Sequence, residues 1–304
     1  MVDTPHFVRV AMVGLPNSGK STLLNAMVGE KLAAVSQTPQ TTRSRILGVV
    51  NRGATQIAFL DTPGVHEAHH ALNHRMLQHI DAALLEADLL LWVVDADGFL
   101  GTGEQALAKR LAKSEQPVYL ILNKIDLLSK GRLLEKVAGY KDLLAFREIV
   151  PVSAKFSQNL EPLWGLLERD APEGEWEFAD DTFTDQTERS MASEFIREKV
   201  LRKTREEVPH GVAVVIERWI ESGEEDYPED LGEGGTFIQA QILVERAGHR
   251  KILLGAGGSM IRDIRQSAQR ELRKLLQRPV RLEFHIKVSE DWRNRSEQLD
   301  RLHL

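Results

Sequence analysis

Short runs of consecutive apolar residues, each closed by a polar or glycine-containing stretch, mark the first half of the chain. Val8-Arg9-Val10-Ala11-Met12-Val13, Ile46-Leu47-Gly48-Val49-Val50, Gln56-Ile57-Ala58-Phe59-Leu60, Val118-Tyr119-Leu120-Ile121-Leu122 and Ile149-Val150-Pro151-Val152 have the length of buried strands. A helix-like run, residues 21–28, follows the first of them. Strands that are apolar on both faces suit a mostly parallel sheet covered by helices. The longest apolar stretch, residues 84–95, contains Glu86 and Asp88 and is too short to span a bilayer.

The pattern breaks after Asp170. Ala171-Pro172-Glu173-Gly174-Glu175-Trp176 interrupts it, and Asp180-Asp181-Thr182-Phe183-Thr184-Asp185 shows no apolar periodicity. Residues 171–186 are therefore expected to link a domain at 1–170 to a second one at 187–304, the latter with a C-terminal tail. In that second part Met191, Phe195, Ile196 and Val200 recur at helical spacing. Strands are expected at 212–216 and 237–244, separated by an acidic turn at 221–226. Ile252-Leu253-Leu254 precedes Gly255-Ala256-Gly257-Gly258. A helix at 259–276 follows, with Met260, Ile261, Ile264, Ala268, Leu272 and Leu275 or Leu276 on one side, then an alternating strand at 280–288.

Chemistry enters at the first strand–helix junction. Gly14-Leu15-Pro16-Asn17-Ser18-Gly19-Lys20-Ser21 fits the phosphate-cradling loop, in the strand–loop–helix context that such a loop needs. Glycines let backbone N–H groups approach phosphate oxygens, and the helix N-terminus adds partial positive charge. Gly14, Asn17, Ser18, Gly19, Lys20, Ser21 and Thr22 are the candidate nucleotide contacts. Lys20 should reach the β- and γ-phosphates and Ser21 should hold Mg²⁺. Asn123-Lys124-Ile125-Asp126 closes a strand. The Asp126 carboxylate can accept two hydrogen bonds from guanine, which adenine cannot offer, so discrimination should be strong. Asn123 can bond the purine edge and brace the phosphate loop, and Lys124 can lie along the base plane. Ser153-Ala154-Lys155 taken alone is a polar turn. Downstream of Asn-Lys-x-Asp, its backbone can meet the guanine carbonyl.

Asp61-Thr62-Pro63-Gly64 ends another strand. Asp61 can take a water-mediated place on Mg²⁺, and the Gly64 N–H can sense the γ-phosphate. In the polar stretch Thr38-Pro39-Gln40-Thr41-Thr42-Arg43, a threonine can complete the Mg²⁺ shell only with GTP bound, and Thr42 is favoured over Thr41. Lys20, Thr42 and Gly64 are thus the candidate catalytic residues. With five motifs in this order, the chain resembles the translation-factor-related GTPases.

Two departures from a Ras-like pattern carry mechanism. Val65 stands where a water-orienting glutamine would be, which predicts slow turnover of the free protein. Asn17 occupies the place where potassium-activated GTPases use an asparagine to hold K⁺; shaping the loop is an equal alternative. His66, His69, His70 and His74 cluster after Gly64. Without a nearby carboxylate pair or cysteine they read as a solvated switch segment rather than a metal site.

Composition narrows the rest. The 304 residues favour two domains. The absence of cysteine excludes disulfides and thiolate metal sites and fits a reducing compartment. The N-terminus has neither the basic start nor the apolar core of a signal peptide. Net charge is −6 but uneven: 16 basic and 15 acidic residues in 1–150, 9 and 21 in 151–230, 14 and 9 in 231–304. A polyanion would bind the basic C-terminal part.

The element order after residue 186, with Gly-x-x-Gly between two helices, resembles a KH domain of the bacterial type. That resemblance implies single-stranded RNA against Gly255, Ala256, Gly257 and Gly258, flanked by Arg250, Lys251, Arg262 and Arg265, with bases near Ile252, Leu254 and Ile261. Ala256 replaces a common basic residue and removes one phosphate contact. A GTPase domain followed by one KH domain resembles a family of bacterial ribosome-assembly GTPases. Membership implies binding near the 3′ end of small-subunit ribosomal RNA and action on the 30S subunit. It also implies a cytoplasmic, monomeric protein with some peripheral association at the inner face of the membrane. Two other functions stay open: an RNA adaptor that holds GTP with negligible hydrolysis, and a GTPase of tRNA modification or large-subunit assembly.

Overall fold

The computed structural model describes residues 4–65, 70–204, 208–302 and 304. They form two compact units. The first takes the described residues within Met1–Val35, Thr42–His69 and Asn73–Asp185; the second takes Ser36–Thr41, His70–Leu72 and Gln186–Leu304.

In the first unit a six-stranded sheet has the order β2-β3-β1-β4-β5-β6. Its strands are β1 (His6–Val13), β2 (Ile46–Arg52), β3 (Thr55–Asp61), β4 (Leu89–Asp95), β5 (Val118–Asn123) and β6 (Glu148–Pro151). Only β2 runs antiparallel to its neighbour. The central strands are buried on both faces, which explains runs without alternation. Helices α1 (Lys20–Val28), α2 (Ala71–Glu86), α3 (Thr102–Leu111), α4 (Lys130–Tyr140) and α5 (Leu160–Asp170) follow strands in turn. The apolar stretch 84–95 is thus the end of α2, a turn at Asp88 and β4. Among the described residues no helix is long and apolar enough to cross a membrane.

Residues 171–185 correct the expected linker. They form a strap on the first unit's sheet. The Phe7 N–H donates to the Pro172 carbonyl, and Trp176 Nε1 donates to the Ala54 carbonyl at 3.0 Å. Gln56, fully buried, accepts from the N–H groups of Glu177 and Phe178 and donates to the Phe178 carbonyl. At the edge strand β2, the Val49 N–H donates to the Phe183 carbonyl and Thr184 Oγ1 to the Leu47 carbonyl at 2.7 Å. Missing periodicity meant no helix or strand; it did not mean free backbone. These polar groups satisfy a sheet edge that would otherwise stay open.

In the second unit, α6 (Glu188–Lys203) begins at Thr187, whose hydroxyl accepts from the Ser190 N–H. A three-stranded sheet follows: β7 (Val212–Glu221) antiparallel to β8 (Thr236–Val244), and β8 parallel to β9 (Val280–Val288). The crossover from β8 to β9 carries α7 (Ala247–Leu254), the glycine turn and α8 (Ser259–Leu276). Alternate β8 residues Ile238, Ala240, Ile242 and Val244 pack with Ile264, Ala268 and Leu272 of α8. The C-terminal tail is partly built in. Trp292 is fully buried with its Nε1 donating to the Gly211 carbonyl, and Arg293 forks onto Glu245. A final helix, α9, spans Ser296–Arg301.

Candidate functional site

The nucleotide motifs all fall at the carboxyl ends of β1, β3, β5 and β6, the edge where open parallel sheets hold ligands. The loop after β1 needs its glycines. A Cβ on Gly14 would lie 2.2 Å from the Val93 carbonyl oxygen, and one on Gly19, whose φ is 96°, 2.1 Å from Asn123 Nδ2. Asn17 also sits in the left-handed region, φ 62°, which asparagine tolerates well. Thr22 stands in the first turn of α1, half-buried.

Lys20 is buried, and its ammonium donates to the carbonyls of Gly14 (3.1 Å) and Leu15 (3.2 Å). Desolvation lowers its pKa to about 8, against the pull of Asp61. Desolvation likewise raises the Asp61 carboxyl to about 6, opposed by Lys20 and by hydrogen bonds from Ser21 and Thr42. Ser21 Oγ lies 2.6 Å from Asp61 Oδ2 and 2.7 Å from Thr42 Oγ1. Asp61 Oδ1 is buried without a hydrogen-bond partner among the described residues. Three oxygen-bearing side chains thus converge, with one carboxylate oxygen left over, a donor set that fits a hard divalent cation.

After β3, Thr62 Oγ1 donates to the Met12 carbonyl, and the Val65 N–H to the Gly14 carbonyl at 3.1 Å. A Cβ on Gly64 would meet Pro16 N at 2.7 Å, so the phosphate loop and the Asp-Thr-Pro-Gly segment touch backbone to backbone. Val65 packs on the apolar core of the first unit. His66 and His69 lie outside the described residues. Among those described, no group of three or more His, Cys, Asp or Glu is arranged to hold a metal.

The base end is braced by side chains. Asn123 Nδ2 donates to the Ser18 carbonyl, while its Oδ1 accepts from the N–H groups of Lys124 (2.8 Å) and Ala154 (3.0 Å). Ser153, fully buried, donates its hydroxyl to Asp126 Oδ1 at 2.5 Å. Lys155 places its ammonium over the Phe156 ring, 4.8 Å from the centroid. One contact was missed in the sequence. Lys124 Nζ lies 2.6 Å from Asp95 Oδ2, at the end of β4. The available signal was an apolar strand closed by a carboxylate, the pattern already noted at Asp61.

In the second unit, Gly255, Gly257 and Gly258 have φ of 66°, 56° and 77°, conformations that favour glycine. Gly255 also abuts Met260, whose Cβ would lie 2.8 Å from an added Cβ. Space beside Gly257 is open. Ala256, Arg250, Lys251, Arg262 and Arg265 are exposed. Among the described residues none of those four cations is within ion-pair distance of a carboxylate, whereas Lys203 pairs with Asp263 at 2.7 Å. Ile252 and Leu254 are 51% and 37% exposed, while Leu253 between them is buried.

Comparison with known proteins joins the two halves. Residues 9–124 match the family described as 50S ribosome-binding GTPase, and residues 207–293 match the KH domain. The chain is 42% identical over 290 residues to GTPase Era of Heliobacterium modesticaldum, covering 95% of this chain and 94% of that one. It is 43% identical to GTPase Era of Geobacter metallireducens, covering 93% and 92%. The crystal structure of Era with MgGDPNP and nucleotides 1506–1542 of 16S ribosomal RNA superposes with a TM-score of 0.91 at 36% identity, over 98% of each chain. A variant of Aquifex aeolicus Era bound to GDP·AlF4⁻ gives 0.90 at 37%, again over 98% of each. By fold, by domain order and by identity along almost its whole length, the chain belongs to the Era family of GTPases.

Proposed function

We propose that this GTPase binds single-stranded RNA near the 3′ end of small-subunit ribosomal RNA and acts in 30S subunit assembly, with bound nucleotide controlling RNA engagement. The observation that carries this reading is the glycine turn at the start of α8. The helix N-terminus and four cations that make no ion pair among the described residues offer a phosphate cradle. Exposed Ile252 and Leu254 offer apolar surface to bases. The RNA in the solved relative supports assigning the same class of partner here.

On the nucleotide side, Lys20 and the loop N–H groups stabilise charge on the transferring phosphoryl group. Ser21, Thr42 and Asp61 fit Mg²⁺, which when bound neutralises the phosphate oxygens. Gly64 senses the γ-phosphate. Asp126, set by Ser153, selects guanine. Val65 cannot orient a water, so the free protein turns over slowly until RNA, a protein partner or a K⁺ ion beside Asn17 completes the site. The same reading takes the protein as a cytoplasmic monomer.

The test is binding of a short oligonucleotide from the small-subunit rRNA 3′ end to protein loaded with GDP or with a non-hydrolysable GTP analogue. Tighter binding in the GTP-like state, lost on joint Gly257→Asp and Gly258→Asp replacement, is expected. Equal weak binding in both states, unaffected by the replacements, would remove the RNA reading and leave the GTPase. Val65 favours one alternative, an adaptor that holds GTP as a structural ligand. Multiple-turnover phosphate release, stimulated by RNA or K⁺, decides against it.

A further inference from the structure

Asp95 closes β4 directly beside Asn123, its register partner at the end of β5. Its carboxylate is held at both oxygens. Oδ1 accepts the Asp97 N–H at 3.0 Å, and Oδ2 receives Lys124 Nζ at 2.6 Å. The turn carrying it is pinned as well. The Ala96 N–H donates to the Asn123 carbonyl, the Gly98 N–H to the Asp95 carbonyl, and Arg132 pairs with Asp97 at 3.1 Å. Lys124 is fixed at its other end by a left-handed backbone, φ 67°, and by its N–H bond to Asn123 Oδ1. The four-carbon stem of Lys124 is thus stretched between two anchors, two residues before Asp126.

We propose that Asp95 is a positioning residue for the purine base, acting through Lys124. This rests on the reading of Asp126 and Lys124 as the base site. A lysine stem offers apolar surface on which one face of a ring can lie, provided that its charged end stays out of the way. A free lysine on a loop samples many rotamers and must lose them on binding. Asp95 removes that loss before the base arrives. With both side chains about one-third exposed, solvent screening keeps the pair's contribution to folding small, so its effect belongs mainly to binding. The stem touches a ring face and no exocyclic group. Asp95 therefore supports affinity for guanine and hypoxanthine alike, while Asp126 discriminates by reading the ring edge.

The test uses the full chain and the fluorescent N-methylanthraniloyl derivatives of GDP and IDP, the second lacking the 2-amino group. Asp95→Asn keeps an acceptor for the Asp97 N–H and removes the charge. It should raise the Kd for both ligands by the same factor, about two- to fivefold, in the range of a modest ion pair. The melting temperature of the nucleotide-free protein should not change. In a Lys124→Met background the same substitution should have no further effect. Asp95→Ser, which also preserves the turn, gives an independent reading if the asparagine variant folds poorly. Unchanged affinity, a loss confined to GDP, or an equal loss in the Lys124→Met background would overturn the proposal. Asp126→Asn run in parallel should shift preference from guanine to xanthine. If it does not, the base-site reading fails and takes this inference with it.

Discussion

The hydroxyl of Ser21 lies 2.7 Å from that of Thr42, while Thr41, one residue earlier, bonds its hydroxyl to Ser36 Oγ and to the Thr38 carbonyl. Two adjacent threonines of the same type thus face different chemistry, and they fall in different compact units. Thr42→Ala should lower GTP hydrolysis by at least about tenfold, as loss of a group that stabilises the transition state does. GDP affinity should fall much less. Thr41→Ala should leave the hydrolysis rate nearly intact. Single-turnover rates of the two variants check the order, and a reversed ranking would reassign the switch threonine.

Gly64 and Pro16 share a backbone contact that leaves no room for a methyl group. Gly64→Ala must push the Asp-Thr-Pro-Gly segment away from the phosphate loop. Hydrolysis should drop by at least about tenfold, with GDP bound almost as tightly, because GDP needs no contact from Gly64. Equal loss of GDP affinity and rate would mean that the phosphate loop itself had collapsed.

Asn17 serves the loop through its left-handed backbone, and glycine can replace it there without strain. Hydrolysis is expected to run faster in KCl than in NaCl at matched ionic strength, and Asn17→Gly should erase the difference while keeping the rate in NaCl. Equal rates in the two salts for the unsubstituted protein would assign Asn17 to loop shape alone.

At the far end of the first unit, Asp170 accepts from the Tyr119 hydroxyl at 2.5 Å and pairs with Arg147 and Arg169. Hydrogen bonds from Arg169 and Arg147 hold its carboxyl well below the usual aspartate range. A carboxyl depressed on folding contributes stability that is complete above its unfolded pKa, about 3.9, and is lost as pH falls below it. Asp170→Asn should therefore flatten the acid limb of the unfolding curve below about pH 4 and change little between pH 6 and 8 beyond a constant offset. Losing the charged acceptor of the buried Tyr119 hydroxyl sets that offset at about 1–3 kcal/mol. Urea titrations at a series of pH values measure both.

RNA affinity should depend steeply on salt if Arg250, Lys251, Arg262 and Arg265 meet phosphates. Each single alanine replacement that removes a phosphate contact should reduce the slope of log K against log salt by about 0.7, the value for single strands. Oligonucleotides of different sequence should weaken together. A replacement that weakens one sequence and spares another would place that side chain on a base.

The nucleotide motifs were legible because each couples a fixed residue type to a fixed place at a strand end; the hydrogen bond from the Ser153 hydroxyl to Asp126 was not, since it joins two motifs through a side chain. The KH part was legible from alternation in β8 and from the clear apolar side of α8. Helices α3 and α4 left weaker marks. Each buries only a few residues, and exposed Leu134 on α4 blurs the apolar side. Asp95 left only a weak mark, a carboxylate closing an apolar strand, because it has no spacing partner in sequence; Lys124 meets it from the end of the neighbouring strand. The strap was misread for a related reason. Its contacts are backbone and side-chain hydrogen bonds to a sheet edge, and no hydropathy pattern records them.

The strap also decides where the molecule can be cut. Severing the chain after Asp170 would strip the amides that Gln56 accepts and leave Val49 and Leu47 on an uncovered edge strand. An exposed edge of that kind recruits other chains, so such a fragment should aggregate even with every nucleotide motif intact. A fragment ending at Asp185 keeps the edge dressed. The first compact unit thus ends about fifteen residues beyond its last helix, in a stretch that composition alone would discard.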